Sequence, residues 1–186
     1  MNSVAGIIAN TITENHGTGK QGSGAEVLRF DQCELTMDKD CRYVKRGDEN
    51  MDFAEEYVFE QVDHIQAMIY RGTDMAFLQS YPLEYDHAMT DNECMAEILA
   101  HTSGGFGHVA VSFTAEALGG NRYRVMCRGD KLDTNVEYVT LFIVHKHGIV
   151  EIAANDSVDS DVKREELIAF VTDIANSVVP LEALPQ

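Results

Sequence analysis

The chain has 186 residues, the size of one ordinary domain, and its apolar content of 45% and charged content of 24% exclude a disordered chain. Thirty-one acidic residues against fourteen basic ones give a formal net charge of −17, and a surface of that sign repels phosphate backbones and anionic lipid. The composition therefore argues against nucleic acid and membrane surfaces as partners and favours a basic protein.

The start of the chain and its cysteines bear on the compartment. The first ten residues lack the basic start and long apolar stretch of a signal peptide, and no apolar run approaches the roughly 18 residues that span a bilayer. We therefore expect a cytoplasmic protein, or a periplasmic or secreted one whose leader has been removed. Cys33 and Cys41 would face each other across a predicted hairpin, so they would form a disulfide in an oxidising compartment and remain buried thiols otherwise.

The N-terminal region is predicted to be separate from the main domain. Val4, Ile8 and Ile12 recur at helical spacing, and a glycine-rich stretch follows them. We therefore divide the chain into residues 1–24, a short helix and a Gly-rich linker, and residues 25–186, a single α+β domain.

The next part of the chain is predicted to contain a hairpin and two helices. Residues 26–30 and 33–44 are typical of strands, with a turn inside the second segment. Apolar residues at helical spacing predict an amphipathic helix over 52–70 and a shorter one over 91–101, which the glycine-rich sequence after it stops. Residues 71–90 show no clear period, so we assign no element there.

The second half has a clearer pattern. Residues 108–117 alternate between apolar and polar, and a Gly-Gly-Asn turn leads to a hairpin partner at 122–128. Residues 136–147 are nearly all apolar, as in a central strand covered on both faces, and 149–154 return beside them. An amphipathic helix is predicted over 161–178. The chain is thus predicted to form an antiparallel sheet of five to seven strands with amphipathic helices packed on it, the C-terminal helix last.

Two patterns invite a metal-site hypothesis. His145 and His147 form a His-x-His pair on a predicted strand, so both rings leave one face, and His108 or His101 would supply a third ligand. Acidic residues and histidines also recur every four positions on both predicted helices, but the helical wheel of the first helix directs this stripe away from its apolar side, as expected of a solvated face. The residues of the two stripes are Glu56, Glu60 and His64, and Glu93, Glu97 and His101.

Other catalytic motifs are absent from the sequence. It contains no Gly-x-Ser-x-Gly nucleophile elbow, no His-Glu-x-x-His motif, no Walker spacing and no Cys-x-x-Cys pair. We accordingly predict no catalytic residue and no cofactor other than the divalent metal of the histidine hypothesis.

The second half of the chain resembles two known families in the order of its elements. Residues 136–178 run strand, tight turn, strand, acidic loop and amphipathic helix, which resembles the C-terminal arrangement of the Mog1/PsbP-like proteins and implies a non-enzymatic binding module. Residues 108–178 resemble, more loosely, the small RNA-phage coat proteins, which implies a self-assembling shell. The net charge of −17 argues against a shell that packages RNA.

These observations lead to three functional hypotheses. The first is a non-enzymatic acidic binding protein that docks on a protein partner, possibly a basic one, as an inhibitor or immunity-type protein does. The second is a self-assembling structural protein, such as a capsid- or tail-like subunit. The third is a metal-dependent enzyme that uses His145 and His147 together with a carboxylate.

Overall fold

The fold is built around one large antiparallel sheet. The structure is a computed structural model, and it describes residues 19–82, 89–106, 110–131, 134–145, 148–157 and 160–181. The strands in those ranges are β1 (Lys20–Gln21), β2 (Val27–Arg29), β3 (Cys33–Thr36), β4 (Arg42–Lys45), β5 (Ile65–Arg71), β6 (Asp74–Pro82), β7 (Ala110–Gly119), β8 (Arg122–Lys131), β9 (Thr134–His145), β10 (Gly148–Ser157) and β11 (Val178–Pro180). The helices are α1 (Phe53–Gln61), α2 (Asp91–Phe106) and α3 (Asp161–Ser177).

The strands form two sheets. Within the described ranges, eight of them make the large sheet in the order β1-β4-β5-β6-β10-β9-β8-β7, and three make a small sheet in the order β11-β3-β2. All the pairings are antiparallel. The α+β class, the large antiparallel sheet and the terminal position of the last helix were therefore predicted correctly, whereas the number of strands exceeds the predicted five to seven.

Helices α1 and α2 cover one face of the large sheet, and α3 together with the small sheet covers the other. Side chains alternate along the strands, so Leu78 of β6 packs toward α3 while its neighbour Phe77 packs toward α1. On β9, Leu141 faces α3 and Phe142 faces α2 in the same way. The molecule thus has three layers, and residues 139–144 of β9 are buried on both sides, as their nearly continuous apolar sequence predicts.

The C-terminal half follows the sequence pattern closely. Gly119, Gly120 and Asn121 all have positive φ angles and form the turn between β7 and β8, which confirms the predicted hairpin. Helix α3 ends at Ser177, and its buried residues recur at helical spacing on the side that faces the sheet. These buried residues are Leu167, Phe170, Val171, Ile174 and Ala175.

Two predictions about residues 52–90 were wrong. The predicted helix over 52–70 is in fact α1 followed by strand β5, and residues 71–90, to which no element was assigned, contain β6. Ile65 and Ile69 lie four residues apart, which fits a helix, but an irregularity of register just after Ile65 puts Ile65 on the α1 side of β5 and Ile69 on the α3 side. Because β5 is covered on both faces, Met68 and Tyr70 are buried as well as Ile69, and the period of two is hidden.

The predicted hairpin at residues 33–44 was also wrong. Strand β3 belongs to the small sheet and β4 to the large one, so the two strands do not pair. Cys33 and Cys41 lie on or beside these strands as buried free thiols, which is one of the two alternatives that the sequence left open.

Other boundaries differ from the prediction as well. Helix α2 continues to Phe106, through the glycines expected to stop it, and Ala115, an apolar residue of the alternating segment 108–117, is exposed on the edge strand β7. The helix predicted over residues 1–13 lies outside the described residues. None of the described helices combines the length and the apolar character needed to cross a membrane.

Candidate functional site

The histidines of the metal hypothesis are only partly described. His145 is half-buried at the end of β9, while the side chains of His147 and His108 lie outside the described residues. Among the side chains that the structure describes, no three His, Cys, Asp or Glu residues come together to hold a metal ion. The metal site therefore remains a prediction. The first acidic stripe, Glu56, Glu60 and His64, does not lie along one helix, because His64 lies beyond the end of α1.

Helix α1 is held firmly at its start. The side chain of Asp52 accepts a hydrogen bond from the backbone N–H of Glu55 at 2.9 Å, and the Glu55 carboxylate accepts one from the backbone N–H of Asp52 at 2.9 Å, which completes a capping box. Glu55 is buried and also accepts a hydrogen bond from the Tyr70 hydroxyl at 3.1 Å. Burial and the nearby Glu55 carboxylate together raise the pKa of Tyr70, so this hydroxyl remains a donor.

A single arginine holds the other end of α1. The guanidinium group of Arg46 donates to the carbonyl oxygens of Phe59 at 2.7 Å and Ile65 at 2.9 Å, and also to that of Val62. The last carbonyls of a helix lack partners within the helix and carry partial negative charge, so a cation there is favourable. The orientation of α1 on the sheet is thus fixed at both ends.

The outward side of α1 carries two aromatic residues between acids. Phe53, Glu56, Tyr57 and Glu60 follow the spacing i, i+3, i+4, i+7 and therefore share one face, opposite the buried Val58. Phe53 is 83% exposed and Tyr57 is 38% exposed, which is unusual for side chains of this size. We call these four residues the α1 ridge.

Most of the net negative charge falls in one stretch of the sequence that includes helices α1 and α2. Residues 47–121 contain fourteen acidic residues and a single basic one, so they account for −13 of the net charge of −17. That one base, Arg71, is hydrogen-bonded to Asp173 of α3 on the opposite face. Helices α1 and α2 share one face of the sheet and contain no lysine or arginine, whereas α3 contains two basic residues. The layer formed by α1 and α2 is therefore the acidic layer.

A polar network lies within the same face of the sheet. The Tyr81 hydroxyl lies 2.8 Å from Gln79 Oε1 and also beside the buried Glu151 carboxylate, so two acceptors share its one proton. Burial and this carboxylate raise the pKa of Tyr81. The ring of His64 lies 4.7 Å from the ring of Tyr81. The network supplies the hydrogen bonds that a buried carboxylate requires, which is a structural role.

A cavity of about 360 Å³ opens on the other side of the molecule, between the small sheet and the C-terminal half of α3. Two of its charged lining residues pair with each other, since Arg71 Nη1 donates to Asp173 Oδ2 at 2.8 Å, and the guanidinium lies 5.0 Å from the centre of the Phe170 ring. Burial raises the pKa of the Cys41 thiol despite the opposing effect of Arg71. A thiol of raised pKa is a poor nucleophile, so the cavity offers no activated group.

Comparison with known proteins leaves the family open. No protein-family model matches the sequence, and neither does any curated protein. The fold is similar to the solution structure of cyanobacterial PsbP (CyanoP) from Synechocystis sp. PCC 6803, with a TM-score of 0.48, 9% identity, and coverage of 91% of this chain and 99% of that one. It is also similar to LpqN, which is involved in cell envelope biogenesis of Mycobacterium tuberculosis, with a TM-score of 0.48, 15% identity, and coverage of 94% and 97%.

Sequence reasoning missed the α1 ridge although the signal was present. The same helical wheel that directs Glu56 and Glu60 outward also places Phe53 and Tyr57 outward. The acidic layer, in contrast, required knowledge of which helices share a face of the sheet.

Proposed function

We propose that the protein is a non-enzymatic binding protein whose acidic layer docks on a basic protein partner, with the α1 ridge as the anchor. The observation that carries the proposal is the coincidence of two features on one helix. The most exposed large apolar side chain among the described residues, Phe53, lies in the layer whose two helices carry acidic residues and no lysine or arginine.

The two features act at different stages of binding. An acidic layer attracts a basic surface over about one Debye length, roughly 8 Å at physiological salt, and so raises the association rate. An exposed aromatic side chain instead gains its energy in contact, when it enters a pocket of the partner and leaves water. Because α1 is fixed at both ends, the ridge is presented without a cost for ordering the helix.

The partner is identified by placing a photo-crosslinking phenylalanine analogue at position 53. The same analogue at position 162 is the matched control, because Val162 is 69% exposed on α3, in the opposite layer. We expect position 53 to crosslink one basic protein that position 162 does not capture. Crosslinking without a difference between the two positions would contradict the proposal.

Binding to the purified partner then separates charge from anchoring. The double substitution Glu56→Gln and Glu60→Gln should lower the association rate and its dependence on salt, whereas Phe53→Ala should mainly raise the dissociation rate. Glu165→Gln with Glu166→Gln makes the same change of charge on α3, where both residues are exposed, and should have the smaller effect. Equal effects of the two charge pairs would show that net charge, and not the acidic layer, controls binding.

A further inference from the structure

The outer edge of strand β7 differs from the other sheet edges. In the described part of the chain, the edges belong to β1, β2, β11 and β7. The first three have two or three residues each, and β11 ends in proline. Short strands and proline are common means by which proteins prevent pairing between edges. Strand β7 has ten residues, no proline and no lysine, and no described strand pairs with its outer side.

The edge is also regularly paired with β8 and exposed over its central part. Pairing with β8 is regular from Ser112 to Ala117, between two irregularities of register. Residues 114–119 are exposed on both faces of the strand. The backbone N–H and C=O groups that point outward from this segment are available to another strand.

Charge argues for a second copy of the chain as that strand. Two molecules of net charge −17 repel each other over most of their surface, so a contact between copies must use the least acidic part. The β7–β8 hairpin, residues 110–131, is that part, with four basic residues and two acidic ones. The one charged side chain of β7, Glu116, is paired with Arg124 of β8. The edge therefore brings almost no net charge to a contact.

We infer that two copies of the chain pair antiparallel through β7 and form one continuous sheet. A two-fold axis perpendicular to the sheet puts the same face of both copies on one side of the joined sheet. Residues that oppose each other across the contact must therefore lie on the same face of the strand. Centring the axis on Ala115 places Ala115 opposite its own copy and Glu116 opposite Thr114 of the second copy. This register avoids a Glu116–Glu116 contact. It also leaves the acidic layers of both copies on the same side of the joined sheet, with the α1 ridges at its two ends.

The inference does not depend on the proposed function, and the two respond to salt in opposite ways. Salt screens the repulsion between two acidic copies, so the dimer should become tighter as salt is added. Docking of a basic partner should weaken under the same conditions.

The test is sedimentation velocity of the full chain at low and high salt, with charge substitutions at position 115. We expect a concentration-dependent dimer that is favoured by salt. Ala115→Lys should weaken it by about tenfold or more, because two like charges would lie directly opposite each other. Ala169→Lys is the matched control, since Ala169 is exposed on α3, and it should leave the dimer intact.

Mixing variants distinguishes a lost contact from a lost fold. Ala115→Lys and Ala115→Glu should each be monomeric at concentrations where the natural chain is a dimer, and an equimolar mixture of the two should form a heterodimer. A chain that stays monomeric at high salt and high concentration overturns the inference. A dimer that Ala115→Lys leaves unchanged also overturns it. A dimer that dissociates when salt is added overturns it as well, because that result would indicate contact between the hairpin and the acidic layer of another copy.

Discussion

The attachment of α1 depends most on Arg46. Replacing Arg46 by alanine removes three hydrogen bonds from a charged donor to the carbonyls of Phe59, Val62 and Ile65. Arg46 is exposed, so water can solvate the carbonyls that lose their partner, and each bond is worth about 1 kcal/mol net. The cation also lies 5.3 Å from the centre of the Phe59 ring. We therefore expect Arg46→Ala to lower the free energy of unfolding by about 3 kcal/mol.

Urea unfolding followed by circular dichroism measures this loss. Arg29→Ala is the control, because Arg29 is 80% exposed and forms only a surface ion pair with Glu34, so its loss should cost about 0.5 kcal/mol or less. Arg46→Lys keeps a cation at the C-terminal end of α1 without the planar fork, and should retain about 1 kcal/mol of the stabilisation. If Arg46→Ala cost no more than Arg29→Ala, the carbonyl contacts would contribute nothing measurable and the argument for a rigid α1 would fail.

Three further predictions concern pH, backbone packing and metal. Burial raises the pKa of Cys33 and of Tyr43 to about 12, so both groups lose protons more readily in the unfolded chain. The free energy of unfolding should therefore hold up to about pH 9 and then decline toward pH 12. An unchanged urea midpoint at about pH 11 would contradict this. Gly148→Ala should lower the free energy of unfolding by about 1–3 kcal/mol, because the added Cβ would lie 2.5 Å from the backbone oxygen of Tyr81. Gly47→Ala should lower it by about 1 kcal/mol, because the Cβ there meets no atom within 4 Å but φ is +83°. The metal hypothesis predicts bound metal in protein purified without chelator, and a metal-free protein whose stability zinc does not change would contradict it.

The parts of the fold that the sequence predicts are those in which local pattern and local pairing agree. Strands β7 and β8 are joined by a glycine-rich turn, and β9 and β10 follow each other directly and pair along their whole length. The apolar residues of α3 recur at a spacing that fits a helix and not a strand. In each case the information lies within one segment or between adjacent segments of the chain.

The wrong assignment of β3 arose because its pairing is distant in sequence. Strand β3 pairs with β11, which lies near the end of the chain, and β6 pairs with β10 across the whole β7–β9 region. No local pattern indicates such partners, so β3 was assigned to the adjacent strand β4 instead. The disulfide alternative for Cys33 and Cys41 assumed that local hairpin, and both residues are in fact free thiols.

The candidate site was predictable in composition but not in arrangement. The sequence shows that acids dominate and that residues 47–121 carry −13 of the net charge, but it does not show on which surface these residues lie. The acidic layer can be recognised only when α1 and α2 are known to share one face of the sheet and α3 is known to cover the other. The exposure of Phe53, at the first turn of a short helix, likewise depends on how that helix lies on the sheet.

The two proposed surfaces are coupled through charge although they do not touch. In the proposed dimer both acidic layers lie on one side of the joined sheet, and their mutual repulsion opposes its formation. A basic partner bound to one layer reduces that repulsion, so the occupied chain should dimerise more readily than the free chain. Binding free energies around a closed cycle must sum to zero, so the dimer must in turn bind the basic partner more tightly than the monomer does. Since this coupling is electrostatic, it should decrease as salt is added, whereas a coupling transmitted through packing would persist.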